Sequence, residues 1–160
     1  MKLKLDANFC DLLSALHAGS VKYLIIGGWA VSIHAQPRAT QDLDIFVNPE
    51  RGNLIAVYEA LVRFGAPLHG MDREQFCEPG TFFRIGSPPC QVDIFAEIPG
   101  VQFEACWSNR VEVVLDTESA LIANFISAKD LIAAKAASGR EQDLADVQAI
   151  RRAQQQKPTV

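Results

Sequence analysis

Three acidic residues have the spacing of a metal-binding site. Asp42 and Asp44 are separated by one residue in a strand-like run, residues 42–47, so their side chains are expected to face the same way. Asp93 lies in another strand-like run, and an adjacent strand would bring it to the same place. Adjacent carboxylates repel each other unless a cation lies between them, and Mg²⁺ prefers oxygen ligands. Two such ions stabilise the attacking and leaving oxygens of a phosphoryl transfer, which is the chemistry that this pattern favours.

Two glycines supply a complementary feature. Gly27 and Gly28 follow the strand-like residues 21–26 and precede a short helix-like run at residues 29–36. Backbone N–H groups at the start of a helix lie at the positive end of its dipole and bind phosphates. Because glycine has no side chain, a phosphate can approach the backbone closely. The sequence therefore predicts a phosphate site next to the carboxylates.

The combined pattern, with 13 residues between Gly28 and Asp42, resembles the signature of the DNA polymerase beta-like nucleotidyltransferase superfamily. That signature is a strand, a Gly-Gly or Gly-Ser turn, a short helix, D-x-D on the next strand and a later third Asp. The chain looks most similar to small bacterial nucleotidyltransferases of the abortive-infection toxin and antibiotic-modifying types. Residues 127–135 and 140–147 are similar to the closing helices of the toxin-like group, so the resemblance covers roughly residues 21–150.

The resemblance implies specific roles for these residues. Asp42, Asp44 and Asp93 would bind two Mg²⁺ ions, for which Mn²⁺ could substitute, and Asp93 would favour deprotonation of the acceptor hydroxyl. Gly27 and Gly28 would hold the β- and γ-phosphates of a nucleoside triphosphate.

Further nucleotide contacts are implied at Arg38, Thr40 and Lys135. The reaction would transfer a nucleoside monophosphate from the triphosphate to a hydroxyl and release pyrophosphate. The acceptor would be an RNA end, a protein or a small molecule. The alternative is a catalytically silent binding module with this fold, or a toxin–antitoxin component that acts through protein contacts.

Plainer interpretations of the predicted acidic and glycine residues remain open. Asp42 and Asp44 could be solvated charges on an edge strand, and the glycines could form a simple tight turn. Asp93 could lie on an exposed sheet face, and Glu97, which has the same strand parity, could replace it at a shifted register.

The basic candidates have plainer interpretations too. Arg38 could be a surface loop residue, and Lys135 could lie on a solvated helix face. Asp143 and Asp146, close to Arg140, are expected to form surface ion pairs.

The elements that would position these residues follow from the hydrophobic pattern. Helices are predicted around residues 9–16, 29–36, 48–64, 127–137 and 140–152, the third opening with Asn48-Pro49-Glu50, and strands at residues 21–26, 42–47, 81–85, 90–96 and 111–115. Glycines end three of these helices at Gly19, Gly65 and Gly139. This order predicts an α/β (α+β) nucleotidyltransferase fold with a mixed central sheet flanked by helices. We expect one domain, residues 1–153, and a disordered tail, residues 154–160.

Composition limits the class of protein. The chain has 160 residues, 49% of them hydrophobic, and a formal net charge of −4. These values are not those of a disordered protein or of a broadly basic nucleic-acid-binding surface. No apolar run is long enough to cross a bilayer and no secretory signal is recognisable, so a cytoplasmic protein without a membrane partner is expected. The scattered cysteines predict free thiols, and a homodimer that builds an acceptor cleft is a further hypothesis.

Overall fold

The computed structural model describes residues 3–87, 90–116 and 120–156. Seven helices are formed within these ranges: α1 (Ala7–Ala18), α2 (Gly27–His34), α3 (Arg51–Phe64), α4 (Arg73–Phe76), α5 (Phe103–Ser108), α6 (Ala128–Ser138) and α7 (Glu141–Gln156). Six strands are formed there as well: β1 (Tyr23–Ile26), β2 (Leu43–Val47), β3 (Phe82–Ile85), β4 (Val92–Phe95), β5 (Val111–Asp116) and β6 (Leu121–Phe125). None of the helices in these ranges is long and apolar enough to span a membrane.

The strands form a single mixed sheet in the order β3-β4-β2-β1-β6-β5. The strand pairs β2–β4 and β1–β6 are parallel, whereas β1–β2, β3–β4 and β5–β6 are antiparallel. A six-stranded mixed sheet flanked by helices confirms the predicted fold class. Strand β6 was not predicted, although it lies next to β1 inside the sheet.

Alternation along β2 separates the core from the site. Leu43 and Ile45 have no exposed surface and belong to the hydrophobic core, together with Leu13 of α1 and Leu61 of α3. Because successive strand residues face opposite sides of a sheet, Asp44 faces away from these two residues. The core packing of β2 therefore fixes the direction of the Asp44 side chain.

The start of α3 differs from the prediction. The helix begins at Arg51 with Glu50 as its N-cap, so Asn48 is not the capping residue. Asn48 is buried instead, where its side-chain oxygen accepts a hydrogen bond from the Glu50 N–H and its amide donates to Glu104. An asparagine that folds back on the backbone two residues later forms a turn before the helix, which delays the helix start.

Several predicted boundaries agree with the structure and others move. The first, third and sixth helices end at the predicted glycines, and Ser127 caps α6 by accepting the N–H of Asp130. Helix α2 starts at Gly27 rather than at Trp29. Helix α7 continues through Gln156, into the expected tail, and residues 157–160 lie outside the described residues. Pro88 and Pro89 of the predicted β3–β4 turn also lie outside them.

Candidate active site

Strand β1 passes directly into helix α2 beside Asp44. Gly27 is the first residue of α2, and its φ of +67° lies in the left-handed region, which a residue with a side chain rarely adopts. The preceding residue, Ile26, is the register partner of Asp44 on β2. A Cβ atom on Gly27 would collide with the Asp44 carboxylate. Glycine at this position therefore allows the carboxylate to lie against the start of the helix.

The N-terminus of α2 is open to a ligand. Ile26 occupies the N-cap position and provides no side-chain hydrogen bond to the first amides. A Cβ on Gly28 would lie 2.8 Å from the Thr40 Cβ and 3.4 Å from the Arg38 Nη2 atom. The loop before β2 thus brings a hydroxyl and a guanidinium group next to uncapped backbone amides, which together have the chemistry of an anion site.

The predicted acidic residues lie on neighbouring strands. Asp44 on β2 and Asp93 on β4 are register partners, and Asp42 immediately precedes β2. Burial raises the pKa of Asp44 to about 6, repulsion by Asp93 and Asp42 adds to the rise, and Lys135 and Arg140 oppose it. Within the described part of the chain, neither Asp42 nor Asp44 has a side-chain hydrogen bond or a salt bridge to a cation. Asp44 is therefore a half-buried carboxylate whose charge is not compensated by a direct partner.

Asp93 has a different environment. The Arg84 side chain on β3 donates from Nε to Asp93 Oδ1 at 2.8 Å and from Nη2 to Oδ2 at 3.1 Å. The Gln91 amide lies 3.4 Å from both carboxylate oxygens. Hydrogen bonding to Asp93 raises the pKa of Arg84, and the charges of Asp93, Asp42 and Asp44 add to the rise. The cation closest to this acidic group is thus an arginine of the edge strand.

These contacts decide how well the residues fit a divalent cation. Among residues 3–87, 90–116 and 120–156, no three His, Cys, Asp or Glu side chains are grouped as a metal site. Asp42 and Asp44 nevertheless offer hard oxygen donors whose charge lacks a direct partner, and such donors suit Mg²⁺. Asp93 could join them only after exchanging Arg84 for the cation. The residues as arranged fit one cation at Asp42 and Asp44, and a second cation would require Asp93 to release Arg84.

Lys135 lies in the interior, so the solvated-face interpretation is wrong. Its side chain is buried, and Nζ lies 3.1 Å from Asp143 Oδ1 and 2.9 Å from Asp146 Oδ2. The same two acids bind arginines: Asp143 pairs with Arg140 at 2.9 Å, and Asp146 pairs with Arg38 at 3.3 Å. Although burial opposes the shift, hydrogen bonds from Ser138, Arg140 and Lys135 lower the pKa of Asp143.

The expectation that Asp143 and Asp146 form surface ion pairs is wrong, because both carboxylates are buried. Asp143 and Asp146 are only 5% and 3% exposed, whereas the apolar Leu144 between them is 46% exposed. The buried face of α7 carries the two acids together with Val147 and Ile150. The positions i, i+3, i+4 and i+7 of these four residues define one helix face, so the spacing contained the signal. This face was not predicted because acidic residues are rarely buried without a cationic partner, and the sequence does not show which cations lie beside them.

A cleft of about 490 Å³ connects these groups. Its polar lining includes Gly27, Gly28, Arg38, Asp44, Glu97, Lys135, Arg140 and Asp143. Its apolar lining comprises Ile26, Phe95, Ile98, Pro99, Leu131 and Ala134. Asp42, Asp93 and Thr40 are not among the lining residues, whereas Glu97, the alternative to Asp93, lines the cleft and is exposed. The cleft thus joins the start of α2 to an apolar wall.

Comparison with known proteins agrees with this architecture. Residues 3–155 match the model of a family described as "Nucleotidyltransferase of unknown function (DUF6036)". No curated protein sequence matches the chain. Similar solved structures include the lincosamide antibiotic adenylyltransferase LnuA bound to lincomycin, with a TM-score of 0.55 and 16% identity over 92% of this chain and 97% of that one.

Two other structures share the fold. An antigenic nucleotidyltransferase-like protein from Paracoccidioides brasiliensis has a TM-score of 0.53 and 15% identity over 92% of this chain and 78% of its own. The antibiotic-resistance factor ANT(2'')-Ia has a TM-score of 0.50 and 18% identity over 93% of this chain and 84% of its own.

Proposed function

The chain belongs to the DUF6036 family of nucleotidyltransferases, and from this premise we propose that it transfers a nucleoside monophosphate to a hydroxyl acceptor with the help of a bound divalent cation. In this reaction the acceptor oxygen forms a bond to the α-phosphorus. The bond from that phosphorus to the bridging oxygen breaks, and pyrophosphate leaves. The observation that carries the proposal is the uncompensated Asp44 carboxylate, which lies against Gly27 at the open start of α2.

The triphosphate would bind at the α2 corner of the cleft. The amides of Gly27 and Gly28 would donate to the β- and γ-phosphates, with the Thr40 hydroxyl and the Arg38 guanidinium beside them. Lys135 would add positive charge from the wall of the cleft, although its ammonium group is shared with two acids of α7. These groups would fix the α-phosphate near the carboxylates.

Asp42 and Asp44 would hold the cation, Mg²⁺ in our proposal with Mn²⁺ as a substitute. When bound, a divalent cation neutralises phosphate charge and stabilises the oxygens that attack and leave. Asp93 would bind a second ion and accept the hydroxyl proton after releasing Arg84. Asp93 is within reach of this role because it is the register partner of Asp44.

A small molecule with a hydroxyl group is the acceptor that the cleft favours. The cleft lining contains three basic and three acidic side chains, so its formal charges balance. The basic residues are Arg38, Lys135 and Arg140, and the acidic residues are Asp44, Glu97 and Asp143. Such a lining provides no strong field for a polyanionic RNA. The apolar wall would instead take an uncharged organic surface. LnuA, which has the same fold, is an antibiotic adenylyltransferase.

The test is nucleotide transfer measured with α-phosphate-labelled triphosphates, Mg²⁺ and separate panels of small hydroxyl compounds, RNA and protein. We expect label on a small molecule, equimolar pyrophosphate, and at least a hundredfold lower rate for Asp44→Asn. The control is Asp11→Asn, which alters an exposed carboxyl group of α1. Label found on RNA or protein alone would show that the acceptor is not a small molecule. Nucleotide binding without transfer to any panel would favour the silent binding module, for which the Asp93–Arg84 ion pair is the supporting observation.

A further inference from the structure

One carboxylate of α7 links the last helix to the phosphate corner. Asp146 is 3% exposed and accepts contacts from three donors on three different segments. Lys135 Nζ of α6 lies 2.9 Å from Oδ2, Arg38 Nη2 of the loop after α2 lies 3.3 Å from Oδ2, and Gln142 Nε2 lies 3.0 Å from Oδ1. Asp146 is therefore the point at which α6, α7 and the loop before β2 meet.

Arg38 depends on this contact for its position. Its side chain is 36% exposed, and the ion pair with Asp146 is its one ion pair to a described residue. The guanidinium lies beside Gly28 at the start of α2, because a Cβ on that glycine would be 3.4 Å from Arg38 Nη2. A long, exposed arginine side chain otherwise samples many rotamers, so a buried anchor determines whether it stays over the helix start.

The geometry of the contact leaves Arg38 available to a ligand. A guanidinium group has five N–H donors, and a single nitrogen contacts Asp146. The remaining donors can bind phosphate oxygens without breaking the ion pair. Asp130 of α6 provides a comparison, because it is also buried, whereas its partners are Asn109 and Ser127 and none of these three residues lines the cleft.

We propose that Asp146 is a positioning residue for the triphosphate, which acts by holding Arg38 over the N-terminus of α2. This inference rests on the proposed nucleotidyltransferase function. It assigns to a residue of the last helix an effect on phosphate affinity, although this residue lies outside the lining of the cleft. It predicts that Asp146 and Arg38 act as one unit.

The test is a double-mutant cycle. Binding of ATP and of inorganic tripolyphosphate, each with Mg²⁺, is measured by calorimetry for the wild type, Asp146→Asn, Arg38→Gln, the double variant and the control Asp130→Asn. We expect each of the first two substitutions to weaken the binding of both ligands about tenfold, and the double variant to bind no more weakly than either single variant. Asp130→Asn should change the affinity by less than about threefold. Steady-state transfer should show KM for ATP raised more than kcat is lowered in Asp146→Asn.

A second substitution at position 146 keeps the test possible if the first variant is unstable. Should Asp146→Asn fail to fold, Asp146→Glu retains the charge but moves the carboxylate, and the same cycle with Arg38→Gln is read in its place. Losses of affinity that multiply in the double variant, or an equal loss in Asp130→Asn, would overturn the role of Asp146. Absence of ATP and tripolyphosphate binding by the wild type would instead remove the proposed function itself.

Discussion

Replacing Asp44 with asparagine should stabilise the apoprotein while it abolishes nucleotide transfer. Burial and two neighbouring acids raise the pKa of Asp44 from 3.8 to about 6 in the folded protein. A rise of about two pKa units corresponds to about 3 kcal/mol of folding free energy lost at pH 7, where the carboxylate is ionised. Asparagine has the same shape without the charge. Because its buried amide also lacks a partner, we expect a net gain of about 2 kcal/mol.

The gain should depend on pH in a defined direction. Below about pH 3, Asp44 is protonated in both the folded and the unfolded chain, so its ionisation contributes nothing. Between about pH 3 and 6 the unfolded chain releases this proton first, and rising pH therefore disfavours folding of the wild type. Above about pH 6 the full penalty is present. The stability of Asp44→Asn relative to the wild type should therefore be lowest near pH 3 and should increase by about 3 kcal/mol up to pH 7.

The assay is urea unfolding in the presence of EDTA at several pH values, with Asp11→Asn as the exposed control. Addition of Mg²⁺ and a triphosphate should stabilise the wild type, because a ligand that binds only the folded state raises its stability. The same addition should leave Asp44→Asn unchanged. A wild type that is as stable as Asp44→Asn at pH 7, or a difference that is largest at pH 4, would refute the reasoning.

Three further predictions concern other parts of the structure. Gly27→Ala should unfold at a lower temperature than the wild type and lose transfer activity, because the new Cβ would collide with the Asp44 carboxylate and the backbone has a positive φ. The control is Gly52→Ala in α3, which should be neutral or stabilising because nothing lies within 4 Å of the added Cβ. Equal melting temperatures for the two variants would contradict this prediction. Lys135→Met should cost about 1–3 kcal/mol in urea unfolding at pH 7, because two buried carboxylates lose their shared cation while each keeps one arginine partner. An unchanged free energy of unfolding would contradict the contribution of this buried ion-pair group to stability. The exposed Cys90 should react quickly with a thiol reagent. Cys106 should react only on unfolding, because it is buried and burial raises its pKa to about 11. Rapid labelling of Cys106 in the native protein would contradict its burial.

The fold and the acidic strand could be predicted because local patterns determine them. Residues 21–26 and 42–47 have strand composition, a glycine pair follows the first, and alternation orients Asp44. Strand β6 was missed because Asn124 and Ala123 weaken its strand pattern, although parallel pairing with β1 holds it within the sheet. Its place depends on partners distant in sequence.

The charge partners could not be predicted for the same reason. Arg84 meets Asp93 through the register of β3 on β4, and Arg38 meets Asp146 across 108 positions of sequence. Neither register nor helix docking can be derived from composition. The buried face of α7 also depends on docking, since Asp146 is tolerated inside only because Lys135 and Arg38 compensate its charge.

The central claim is that the Asp44 carboxylate and the start of α2 together bind a cation and a triphosphate. Crystals grown with Mn²⁺ and a non-hydrolysable triphosphate analogue test it directly, because anomalous scattering locates the metal. We predict an anomalous peak bonded to Asp44 and to phosphate oxygens, with the β- and γ-phosphates on the amides of Gly27 and Gly28. Phosphates bound elsewhere, or a metal that does not contact Asp44, would contradict the account.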